Sequence, residues 1–380
     1  MLVRALIFTV AALAVAAPLV GQTGGRASQV RFFDRVLLLE DSAATSANAA
    51  LGDLDGDGDL DIVLAKGRHW PLHDRVLLND GRGAFTTRNL GASPDRTYSS
   101  VLADLDGDGD LDVVVSNDRP DRKLVYQNDG HAAFRAAGSW GEPDWPTRNA
   151  AAADLNGDGR PDIIAANRGR PSRICLNGGR GGFESSACAA LAAESATSIV
   201  PGDFDGDGTI DLAVPHRDSG QSAIHLNGGK ASFEKMKPFG PPTSAARAAA
   251  AGDLNGDGRL DLVVGDERAG VFVYLNRGAA EFEPGFPLGE SALSPYAIAI
   301  GDLNRDGNQD IVVGYVEAPG TVFFNQGDGR RFETVRFGDG KGRVYGLALG
   351  DLDGDGYPDI VAARSEAVNA VYFSTERPAR

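Results

Sequence analysis

Seven copies of an acidic nine-residue loop, a strand-like stretch ending in Asn or Ser after each of them, and first and last units that are incomplete in complementary ways predict an all-β fold. That fold is a closed ring of seven four-stranded antiparallel blades. The loops begin at Asp53, Asp104, Asp154, Asp203, Asp253, Asp302 and Asp351, a period of 49 to 51 residues in a chain of 380. Self-similarity at this interval marks a repeat architecture in which each unit is one supersecondary element.

The chain opens with MLVRALIFTVAALAVAAPLVGQ, a cationic start at Arg4, an apolar stretch from Ala5 to Ala17, and small residues at Ala14 and Ala16 before Pro18. The apolar stretch is too short to span a bilayer and ends in a helix breaker, so residues 1–21 read as a secretory signal peptide, with an uncleaved anchor as the alternative. A short linker, 22–29, precedes one propeller domain, 30–380. The expected location is outside the cytoplasm, extracellular or periplasmic, with no membrane span in the mature chain.

RFFDRVLLLE follows, with Phe33 placed 20 residues before the first loop. The same spacing, 19 or 20 residues, separates Phe85, Phe134, Phe183, Phe233, Phe282 and Phe332 from the loops that follow them. The chain therefore starts with the last strand of a unit, and its final unit, ending in VYFS, lacks that strand. Closing the last blade with the N-terminal segment removes the open sheet edges that invite aggregation. An open solenoid has no use for a split unit.

Within each unit, small residues precede the loop (NAAL, AAAA, SIVP, LALG), as innermost strands crowded around an axis require. After it come DIVL, DVVV, DIIA, DLAV, DLVV, DIVV and DIVA, the continuous apolar runs of strands covered on both faces. Then VLLNDG, VYQNDG, ICLNGG, IHLNGG, VYLNRG and VFFNQG form a third strand and its turn.

The loop carries the chemistry. In LGDLDGDGDLDIV five aspartates occupy nine positions. Carboxylates about 4 Å apart repel by roughly 4 kcal/mol per pair at an effective dielectric near 20, so a cation is expected among them. Hard oxygen donors in a glycine-bent loop suit calcium, whereas zinc or copper would want His or Cys. The first six positions match the helix-loop-helix calcium loop, but Leu64 stands where that loop needs a bidentate Glu, so the site closes at the ninth position.

The first ligand is the aspartate that opens each loop. The third is Asp55, Asp106, Asn156, Asp205, Asn255, Asn304 or Asp353, and the fifth Asp57, Asp108, Asp158, Asp207, Asp257, Asp306 or Asp355. The ninth is Asp61, Asp112, Asp162, Asp211, Asp261, Asp310 or Asp359. At the seventh position Asp59, Asp110, Arg160, Thr209, Arg259, Asn308 and Tyr357 are expected to coordinate through the backbone carbonyl. Up to seven calcium ions follow, and the three loops with Asn at position three are expected to bind more weakly.

Units such as AAADLNGDGRPDIIAAN and AAGDLNGDGRLDLVVGD resemble the FG-GAP/VCBS-like repeat family, which includes the propeller of integrin alpha subunits. The resemblance spans about residues 30 to 374. It implies a seven-bladed β-propeller with calcium between the first and second strands of each blade. It does not imply one activity, since such propellers serve adhesion, carbohydrate binding and occasionally catalysis.

Cys175 and Cys188 are the only cysteines, and in an oxidising compartment an even pair reads as one disulfide between the outer strands of the third blade, two free thiols being the alternative. The net charge of −16 is held by the loops: they contain 27 Asp and three Arg, while everything else has 26 acidic and 34 basic residues, so it carries +8. Seven calcium ions would bring the whole to about −2, so the acidity is mostly a metal requirement and says little about partners.

The remaining connections must emerge on the face opposite the loops, and they are rich in Arg and aromatics (GRHWPLHDR, NRGRPSR, PHRDSG, SPDRTY, SWGEPDWPTR). Six residues before each loop, at the mouth of the axis, come Ala47, Tyr98, Arg148, Thr197, Arg247, Tyr296 and Tyr345. Thirteen residues after each loop start come Lys66, Asn117, Asn167, His216, Asp266, Tyr315 and Arg364. Two such rings around a funnel would make a ligand site, with Tyr and Trp stacking on sugars and Arg pairing with carboxylate or sulfate; ordinary polar loop tips are the plainer account. Tyr98, Arg148, Arg247, Tyr296, Tyr345, His216, Tyr315 and Arg364 are the candidate ligand residues.

The function expected is a monomeric, calcium-binding adhesion or binding module for a glycan, expected to be anionic, or a cell-surface protein. A propeller-type polysaccharide lyase using His216, Tyr98, Tyr345 and Arg148 is the enzymatic alternative, and an envelope scaffold the third. Short, uniform loops build no cleft and weigh against the enzyme. Export and the lack of a dominant basic field disfavour nucleic acid.

Overall fold

The computed structural model describes residues 30–376 apart from 180, 184–187 and 219. The leader and the linker expected over 1–29 lie outside the described residues. Twenty-eight strands form seven sheets of four, each antiparallel throughout. In the first blade the order from axis to rim is Ser46–Gly52, Asp61–Lys66, Arg75–Asn79 and Phe85–Asn89.

The last blade is closed as the split unit requires. Phe32–Leu38 pairs antiparallel with Ala370–Thr375, with Val36 opposite Tyr372 and Leu38 opposite Ala370. Two cations come with the strand: Arg31 lies 3.0 Å from Asp355 and Arg35 lies 2.9 Å from Asp353, so the N-terminal segment reaches the seventh acidic loop.

Hydrophobic clusters fill the spaces between neighbouring blades. Ile62, Leu64 and Leu77 of the first blade, for example, pack on Leu352, Val361 and Phe373 of the seventh. Every residue of Asp61–Lys66 is buried, because this second strand is covered on both faces. Each Val, Leu or Ile buried there contributes roughly 1.5–3 kcal/mol. Inner strands end in glycine where the next blade presses closest: a Cβ at Gly52 would lie 2.5 Å from Leu111 and one at Gly350 2.5 Å from Leu60.

The asparagine that ends the third strand pins one blade to the one before it. Asn128 Nδ2 donates to Leu54 O of the preceding blade (2.8 Å) and to Leu111 O of its own (3.2 Å). Asn79, Asn177, Asn227, Asn276 and Asn325 repeat the pattern, each reaching the second residue of the previous acidic loop. In the last blade Ser374 takes this place and accepts from Arg31 Nε instead.

Cys175 and Cys188 form a disulfide across the outer two strands of the third blade. No helix among the described residues is long and apolar enough to cross a membrane.

Candidate functional site

The molecule presents two candidate sites on opposite faces. On the first, each inner strand ends in an acidic loop. The opening aspartate is an internal staple: Asp53 Oδ1 accepts from Gly56 N and Oδ2 from Gly58 N. The ninth is fully buried and ties two strands together, Asp61 Oδ2 accepting from Leu54 N (2.9 Å) and Oδ1 from Asn79 N (2.8 Å). The same pair of bonds recurs at Asp112 and Asp359. Burial pushes these carboxyls up, Asp61 to about 6, Asp112 to about 7 and Asp310 to about 8, even though their backbone hydrogen bonds pull the other way.

The donor set fits calcium. Oxygens of Asp53, Asp55 and Asp57 lie within 4.8 Å of one another, as do those of Asp104, Asp106 and Asp108, of Asp203, Asp205 and Asp211, and of Asp351, Asp353 and Asp355. Asp55 Oδ1 is buried and accepts no hydrogen bond, an orphaned acceptor that a cation would satisfy. Burial first, and Asp57 next, raises the pKa of Asp55.

Seventh-position side chains do other work. Arg160 and Arg259 fold back to pair with the fifth-position carboxylates Asp158 and Asp257, and Thr209 Oγ1 donates to Asn227 O. Tyr357 lies under the Arg31 guanidinium, 3.7 Å from ring centroid to Cζ.

On the opposite face, loops from the blades surround a cavity of about 300 Å³ at the axis. All seven residues six positions before the loops line it: Ala47, Tyr98, Arg148, Thr197, Arg247, Tyr296 and Tyr345. The outer ring read from the sequence does not. Tyr315 is 1 % exposed in the core between the fifth and sixth blades. Arg364 is buried against Asp339 (2.7 Å), and the half-buried ring of His216 faces Gly220.

The cause is strand periodicity. Successive side chains alternate between faces, so a slip of one residue exchanges lining for packing. One residue further on, Arg168 and Arg217 line the cavity, their backbone N–H groups donating to Pro146 O and Ser195 O of the inner connections. Arg68 and His69 join them from the loop after Asp61–Lys66. The signal was present in the quoted Arg-rich loops, offset by a position.

Five arginines thus line the cavity, and no carboxylate among the described residues does. Asp118 and Glu267 stand behind them: Asp118 is 3.0 Å from Arg148 and 3.4 Å from His69, and Glu267 is 2.8 Å from Arg217 and 3.5 Å from Arg247. Burial, with Arg217 alongside, lowers the pKa of Arg247, and burial, with Arg68 and Arg148 alongside, lowers that of His69. Tyr98 Oη lies 2.9 Å from His69 Nε2, and burial raises the Tyr98 pKa. Guanidiniums lie over the tyrosine faces: Arg68 over Tyr345 at 3.7 Å, Arg247 over Tyr296 at 3.8 Å and Arg148 over Tyr98 at 4.4 Å. Such a lining has the chemistry to bind and orient an anion.

Solved structures share the fold. A lectin from Burkholderia pseudomallei superposes with a TM-score of 0.64 at 17% identity, over 86% of this chain and 95% of its own. An Agrocybe aegerita lectin that recognises non-reducing terminal N-acetylglucosamine does so at 0.59 and 22%, over 86% and 87%. BBS1N, solved in complex with ARL6DN, gives 0.62 at 12%, over 93% and 99%. No curated protein matches the chain. The family described as FG-GAP-like repeat matches residues 53–115, 104–165, 154–214, 203–264, 253–313 and 302–362, and with the acidic loops and the seven blades in register across those spans, the chain belongs to that family.

Proposed function

We propose that this chain is a secreted, calcium-stabilised binding module that takes a glycan or a glycan-bearing cell-surface partner through the funnel face. One observation carries the reading: a cavity on the axis, lined by five arginines and three tyrosines, on the face away from the acidic loops. The lectins among the fold neighbours support it, and BBS1N with its protein partner keeps a surface protein in view. Trp70, 67% exposed and next to the cavity-lining His69 in the chain, offers an aromatic surface on which a sugar ring can stack.

Calcium would be held by oxygens of positions one, three and five in the first, second and seventh loops and of positions one, three and nine in the fourth, with the seventh carbonyl in support. It supplies neutralisation, which fixes the loops joining inner to second strands and so holds the blades around the funnel. The leader expected over residues 1–21 and the disulfide support export.

The experiment is a glycan array probed with the full chain, with Trp70→Ala, and with Tyr98, Arg148 and Tyr345 changed together. Binding that both variants lose is expected; binding indifferent to both would place the site elsewhere. Release of unsaturated uronates, seen as ultraviolet absorbance, would instead establish a lyase.

A further inference from the structure

Resting on the funnel reading above, we propose that the cavity grips the acidic group of a charged sugar, a carboxylate or a sulfate, between Arg68, Arg217 and Arg247, and that neutral sugars are not its ligands.

Charge is the first ground. A chain of net charge −16 gathers five arginines around one small space and keeps every carboxylate of the described residues off its lining. Asp118 pairs with Arg148, Asp218 with Arg168, and Glu267 is shared by Arg217 and Arg247, so three carboxylates stand behind five guanidiniums and the lining keeps an excess of positive charge. Arg68 has no carboxylate within 4.0 Å among the described residues, and its Nε, like Arg217 Nε, is buried with no hydrogen-bond acceptor. Neither guanidinium is therefore fully satisfied by the protein itself, and unsatisfied donors of this kind are costly.

The aromatic faces are the second ground. A neutral sugar would stack on tyrosine, but each of the three tyrosine rings in the cavity already carries a guanidinium on a face. A guanidinium stacked on a ring still presents its N–H edges, and the donors that Asp118 and Glu267 leave untaken fork onto planar carboxylate or onto sulfate oxygens. Volume is the third: about 300 Å³ is at the small end of ligand pockets and admits one sugar residue.

The test titrates the full chain, in calcium-containing buffer, with digalacturonic acid against galactobiose and with dextran sulfate against dextran. Each acid is paired with a neutral counterpart, and the acid that binds names the source. Arg68→Gln, which breaks no ion pair, and Arg247→Gln, checked for an unchanged melting temperature, should each weaken acid binding about tenfold to a hundredfold, the worth of a charge-assisted hydrogen bond. Raised salt should weaken it further.

If an acid and its neutral counterpart bind equally, with the arginine variants silent and Trp70→Ala weakened, the charge assignment falls while the glycan reading stands. If no sugar binds, both fall. If Arg82→Gln, an exposed turn on the opposite face, weakens acid binding as much as Arg68→Gln, the attraction is a general surface charge and the proposal is overturned.

Discussion

Replacing Asn128 by alanine tests the pinning of blade to blade, and the structure supplies the magnitude. Its side chain donates to Leu54 O of the first blade at 2.8 Å and to Leu111 O of its own at 3.2 Å, and its Oδ1 accepts from Asp129 N at 3.0 Å. Alanine removes all three bonds at a site that is 6% exposed and takes the side-chain donor from Leu111 O, while Leu54 O keeps the bond from Ala132 N at 2.8 Å. At about 1 kcal/mol for each neutral bond, the expected loss is about 3 kcal/mol. Unfolding entropy of about 2.1 cal/mol/K per residue gives a ring of this size about 0.7 kcal/mol/K, so the melting temperature should fall by about 4 °C. The assay is thermal unfolding by circular dichroism at saturating calcium, with Asn89→Ala, an exposed outer-strand asparagine, as the comparison. Asn89→Ala should move the midpoint by less than about 1 °C, the usual range for surface changes. Equal shifts from the two variants would refute the claim that the repeated asparagine joins blades.

Calcium removal should lower the melting temperature steeply, and a site held at 100 times its Kd contributes about 2.7 kcal/mol; calcium titrated back into stripped protein should restore it. Asp57→Ala, which breaks the cluster with Asp53 and Asp55, should reduce that calcium-dependent gain by about one site's worth, whereas Asp59→Ala should leave it nearly intact; matching losses from both would show the ligand assignment to be wrong. Burial pushes the ninth-position carboxyls up, Asp61 to about 6 and Asp310 to about 8, above the unfolded value of about 3.9, so the folded calcium-free chain should hold more protons than the unfolded one across that window. Its stability should therefore fall as pH rises from about 4 to about 8, and calcium should remove the slope; a flat profile in stripped protein counts against buried, unneutralised carboxylates. Deleting residues up to Leu38 should expose the edge of Ala370–Thr375 and give dimers or aggregates on size exclusion, and a well-behaved monomer would show that the ring does not depend on the closing strand.

The sequence by itself determined the number of blades, their closure and the acidic loops. These features are periodic and local: the aspartate spacing within nine residues sets one turn, and Phe33 sits in phase with six other phenylalanines along the chain. Local chemistry also gave the first funnel ring, because Tyr98, Arg148, Arg247, Tyr296 and Tyr345 stand at a fixed distance from loops whose ends are known.

Tertiary structure alone decided the rest. His216, Tyr315 and Arg364 fell off the cavity and Arg168 and Arg217 fell on it, because a one-residue difference in strand register turns a side chain to the other face. The asparagine repeat was visible as a pattern, but its partner lies in the preceding blade, some 70 residues away in the chain for Asn128 and Leu54, a distance that no local rule spans. The covering of the tyrosine faces by Arg68, Arg148 and Arg247 arises where separate blades converge on the axis, and it decides whether the funnel offers flat aromatic faces or the edges of cations.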